Sequence, residues 1–156
     1  MSDTPQVIEL IAGDAGAFIH SERIAATGSA IVPGMLVEET GGEVQEHSTA
    51  ADGGQKLFAL PDLPVGGTID TVYPVGTRVR YGAASAGQEV YALLAAAATA
   101  VTDGVPLESA GDGTLRVVTS DAATDDTQRN AIFGYAIEAV DNSGGGTTAR
   151  IKVRVA

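Results

Sequence analysis

Catalysis needs a nucleophile beside a base, a carboxylate pair in a pocket, or a cluster of metal ligands, and few residues here could supply any of them. There is no cysteine, so thiolate nucleophiles, disulfides and zinc–thiolate sites are all excluded. The histidines are His20 and His47. His47 ends the run Glu43-Val44-Gln45-Glu46-His47, whose alternation places Glu43, Gln45 and His47 on one strand face. A metal there would need ligands from elsewhere in the chain, and the expected state is an exposed strand histidine. Asp121, Asp125 and Asp126 crowd one short segment and Asp112 sits in a glycine-rich turn, yet no alternating acidic pattern closes on a glutamate as a calcium loop requires. A solvated acidic face is the simpler account. No phosphate loop, dinucleotide fingerprint or glycosylation sequon occurs. The expectation is a protein without catalytic residues, metal or cofactor.

More distinctive are two basic stripes in an acidic chain. Arg78 and Arg80 alternate with Val79 and Tyr81, while Arg150, Lys152 and Arg154 alternate with Ile151, Val153 and Val155. Five of the nine Lys and Arg residues thus lie on the outward faces of two strands, against a formal net charge of −11. Such stripes either face water and guard a strand edge or meet the acidic face of another subunit. The five residues are therefore a possible subunit interface. The overall charge repels nucleic acid and anionic membranes. A lysine-poor, acidic composition suits a salt-rich habitat, and a high-GC genome leaves the same bias.

The elements that must carry these residues are strands. At 156 residues the chain suffices for one domain. Four Tyr and three Phe are its only aromatic residues, so the core falls to Val, Ile, Leu and Ala, which suit short barrels or thin twisted sheets. Leu36 to Val44 recurs, shifted by 71 positions, as Leu107 to Leu115, each copy just after a proline and each reversing at glycine. The pattern predicts two β-hairpins, one around Gly41-Gly42 and one around Gly111-Asp112-Gly113. Further strands are expected at 56–60, near 68–72, at 77–81, 89–94, 132–140 and 148–155, with Gly134 marking a bend or a close backbone approach. The alanine-rich stretch after Leu94 fits either a helix or a loop, and the loop is preferred. Residues 1–30 read as an extended N-terminal arm with one or two short strands, able to lie against a neighbour or against its own barrel. Residues 31–156 read as a single β-domain with two related hairpin units. The fold expected is all-β, a small β-barrel or β-sandwich of short hairpins with little helix. No signal peptide or membrane-spanning run is evident.

The order Pro33-Gly34-Met35-Leu36-Val37-Glu38, then Gly87-Gln88-Glu89-Val90-Tyr91-Ala92-Leu93-Leu94-Ala95, then Pro106-Leu107-Glu108-Ser109-Ala110-Gly111-Asp112-Gly113-Thr114-Leu115-Arg116, then Gly134-Tyr135-Ala136-Ile137-Glu138-Ala139-Val140-Asp141 resembles the capsid decoration, or cement, proteins of tailed viruses. The resemblance runs from about Ile31 onward. It implies a virion protein, assembled in the cytoplasm of a bacterial or haloarchaeal host. Many copies, commonly homotrimers, would bind the major capsid protein on the outside of an icosahedral shell and reinforce it against packaged DNA. The alternative is a tail or fibre surface module binding host glycan.

Overall fold

In a computed structural model of the chain, residues 5–10, 18–119 and 131–156 are described. Eleven strands among them form two sheets: β1 (Glu9–Leu10), β2 (Ile19–Ile24), β3 (Leu36–Thr40), β4 (Glu43–Glu46), β5 (Leu57–Ala59), β6 (Arg78–Ala83), β7 (Glu89–Leu94), β8 (Pro106–Ser109), β9 (Leu115–Val117), β10 (Ile132–Ala136) and β11 (Ala149–Val155). The fold is all-β, as the periodicity implied.

Each sheet curls into a five-stranded barrel, and the two barrels share one topology. In the first the order is β2-β6-β5-β3-β4; in the second it is β7-β11-β10-β8-β9, with β1 added beside β7. Neighbouring strands are antiparallel except at the seam, where Ala25 bridges Val44 and Leu94 pairs with Leu115, both in the parallel sense. The seam is built the same way twice. Ala26 N–H donates to Val44 O at 2.8 Å, and Ala95 N–H donates to Leu115 O at 2.9 Å. Val44 and Leu115 are equivalent positions of the 71-residue repeat, so the repeated hairpin is the part of each barrel that closes it.

Alternation explains how the barrels join. In the first barrel Val37, Val44, Leu57, Val79 and Tyr81 point inward and form an internal core. Their strand neighbours Leu36 and Phe58, with Leu60 just beyond β5, point outward and pack against Leu94, Leu107, Leu115, Phe133 and Val153 of the second barrel. With both faces covered, β5 is a fully buried apolar triplet.

The arm takes one of its two expected placements, one expected strand is missing, and the alanine-rich loop is present. The segment read as an arm lies against its own barrels: β2 runs antiparallel to β6 from Ile19 opposite Ala83 to Ile24 opposite Arg78, and Glu9 of β1 pairs with Val90. Residues 68–72 form no strand. Pro61 and Pro64 cannot donate to a ladder, and the connection instead makes a 3-10 turn at Leu63–Val65, ended by Gly66 in the left-handed region at φ +80°, with the Thr68 amide donating to Thr71 Oγ1. Residues 95–100 form turns and loop, with Ala97 at φ +51°. The bend at Gly134 is real, because the β8–β10 register shifts between Ile132 and Gly134.

Candidate assembly surface

The two basic stripes fall on different barrels and have different surroundings. On β11, Arg150 leaves only 12% of its side chain exposed. Its guanidinium donates to the carbonyls of Pro33 and Ile69, pairs with Asp70 at 3.0 Å, and lies 5.7 Å from the Tyr91 ring centre. Arg150 thus fastens the second barrel to two loops of the first. Lys152 pairs with Glu138 at 3.4 Å and Arg154 with Glu89 at 2.7 Å. On β6, Arg78 and Arg80 share one carboxylate, that of Glu22, at 4.0 and 3.6 Å. Two guanidiniums on one carboxylate leave a local excess of one positive charge, and the Arg78 side chain is 72% exposed.

Around that excess the surface is apolar. Among the described residues eight large hydrophobic side chains are exposed, and six of them, Val7, Ile24, Leu63, Val65, Val72 and Val75, lie on or beside the β5–β6 connection. Val65 and Val72 wall an open hollow of about 350 Å³ with Gly66, Gly67 and Pro74, and Arg78 stands at its rim. Val7 and Leu63 line a smaller hollow of about 180 Å³ with His20 and Arg80. These apolar residues were invisible as a surface in the sequence, where a valine in a turn-rich connection looks like a core step.

The remaining polar candidates take structural positions. His20 is exposed and its Nε2 lies 2.6 Å from Glu9 Oε1, joining β2 to β1. His47, expected at the surface, is instead buried at 3% exposure. The hairpin of the second barrel covers it: Nδ1 lies 2.8 Å from Ser109 Oγ and the ring meets Phe133 edge-on at 5.3 Å. Glu38 Oε2 lies 3.9 Å from His47 Nε2, giving a Ser–His–Glu succession. Ser109 is fully buried, and its hydroxyl joins the barrels through His47. Asp112 accepts from the Thr114 amide at 3.1 Å and caps its own turn. Asp121, Asp125 and Asp126 lie outside the described residues. Among the described residues no three His, Asp or Glu side chains converge in a way that could hold a metal ion. Burial pushes the Glu38 carboxyl up, but hydrogen bonds from Gln45 and Ser48 outweigh it and hold the group below the usual range. Glu39 is likewise held low, by the Tyr81 hydroxyl and then by Arg23.

Neither a protein-family model nor a curated protein sequence matches this chain. Among solved structures it resembles the head fiber gp8.5 N base in bacteriophage phi29, with a TM-score of 0.54 over 90% of this chain and 95% of that one. The likeness is one of fold. Sequence identity is 12%, too low to carry residue roles across, whereas the match takes in both barrels of this chain.

Proposed function

We propose that this chain is a structural virion protein of a tailed virus. It binds the outside of the icosahedral head where capsid subunits meet and stabilises the shell against the pressure of packaged DNA. The observation that carries this reading is the end-to-end fold likeness to a head fiber base of a bacteriophage, nearly coextensive in both chains. The order of sequence motifs shared with capsid decoration proteins supports it independently.

The action assigned is mechanical, with no catalytic step. Many copies, each held by modest contacts, would hold neighbouring capsid subunits together through multivalency. A glycan-binding module fits less well, because such modules stack sugars on exposed aromatic rings, and here Tyr73, Tyr81 and Tyr91 are buried. Only Tyr135 among the described tyrosines is exposed. The base of a head fibre is a second reading, favoured by the same structural neighbour.

Co-sedimentation with purified empty heads separates these readings. A cement protein saturates the heads at many copies and raises the temperature at which filled heads release DNA. A fibre base saturates at few copies and leaves that temperature unchanged. No co-sedimentation at any concentration overturns both.

A further inference from the structure

The β5–β6 connection is unusual in being apolar, exposed and tightly held at once. Val65 is 77% exposed and Leu63 58%, yet the turn that carries them is closed by backbone hydrogen bonds. The amides of Val65 and Gly67 both donate to Asp62 O, and that of Gly66 to Leu63 O. Gly67 is packed so closely that an added Cβ would sit 2.9 Å from Asp62 O. Farther along, Arg150 clamps Ile69 and Asp70 to the second barrel. A loose loop would lose its entropy on docking; this one has lost it already, which favours association.

The same face holds a projection and a recess of matching chemistry. The Leu63–Val65 turn stands out with Asp62 at its base, and beside it lies the hollow of about 350 Å³ between Val65 and Val72 with exposed Arg78 at its rim. Branched apolar side chains fit such a recess, and a carboxylate arriving with them would meet Arg78, whose partner Glu22 is shared with Arg80. The surroundings narrow the choice of occupant. On this face Arg78 and Arg80 meet Glu22 and Arg150 meets Asp70, with Glu9 and Asp62 beside them, nearly balanced, whereas the whole chain carries −11. Copies of so acidic a protein repel one another elsewhere and can approach closely here.

We propose that this face is a self-association surface: the Leu63–Val65 turn of one copy enters the Val65–Val72 hollow of a second, with an acidic side chain beside the turn meeting Arg78. Because projection and recess lie on one surface, the contact either is isologous about a two-fold axis or closes into a ring. The inference stands apart from the capsid reading, and its test contains no capsid.

Sedimentation velocity on the full chain, across a concentration series, compares wild type with Val65→Lys, Val72→Lys and Tyr135→Ser, each checked by circular dichroism for retained β-structure. Wild type should associate, the two lysine variants should associate at least about tenfold more weakly, and Tyr135→Ser, on the second barrel, should match wild type. A wild type that stays monomeric up to about 100 µM overturns the proposal. So does a folded lysine variant that associates like wild type, or an equal loss in Tyr135→Ser.

Discussion

Arg150 and Arg154 are four positions apart on one strand and look alike in sequence, yet their surroundings give them different work. Arg150 satisfies two backbone carbonyls and one carboxylate at the barrel junction, while Arg154 reaches one glutamate with more than half of its side chain in water. Arg150→Gln should therefore cost about 2 to 3 kcal/mol, because it strands buried acceptors of a charged donor. Arg154→Gln should cost at most about 1 kcal/mol, and urea denaturation of the two variants checks both values. Glu39 gives a pH signature. Its carboxyl is held below the usual glutamate range by the Tyr81 hydroxyl and Arg23, so its contribution is present above the unfolded pKa and lost as pH falls through the lower folded one. Unfolding midpoints at pH 7 and pH 3 should show wild type losing more stability on acidification than Glu39→Gln. What the sequence could not convey at this scale is coverage. Alternation put Arg150 and His47 on outward faces correctly, but in each case the other barrel lies over that face, and no local pattern encodes that.

Strand positions were the most legible level, because hairpins announce themselves through local turn chemistry. The expected strand at 89–94 coincides with β7, and both glycine-centred hairpins are in place. Gly134 was legible for the same reason. A Cβ there would lie 2.5 Å from Val153 Cγ1 and 2.6 Å from Arg154 O, so Gly134→Ala should destabilise by about 1 to 3 kcal/mol through overpacking, read as a lowered denaturation midpoint. Less legible were pairings between strands distant in sequence. The parallel seams join Ala25 to Val44 and Leu94 to Leu115, and neither leaves a turn motif. That is why β2 resembled part of an extended arm. Its ladder along β6 and the burial of Ala25 make it a stave of the first barrel, so deleting residues 1–30 should abolish cooperative melting of that barrel. A truncated chain that keeps the wild-type melting transition would show β2 to be dispensable.

At the scale of the whole molecule, a repeated hairpin builds two barrels of one topology, and the outward side chains of the first complete the core of the second. Ile8, just before β1, and Phe18, just before β2, also enter that shared core. The result is a two-barrel body in which most of the exposed large apolar side chains among the described residues gather beside the β5–β6 connection. That shape suits a part that bears load between neighbours. The claim that it does so on the outside of a viral head is tested most directly by an averaged cryo-electron microscopy reconstruction of heads incubated with the protein. The account expects two-barrel density on the outer surface at the junctions between capsid subunits, absent from heads without the protein. Heads whose outer surface is unchanged at saturating protein, or density confined to the tail, would contradict it.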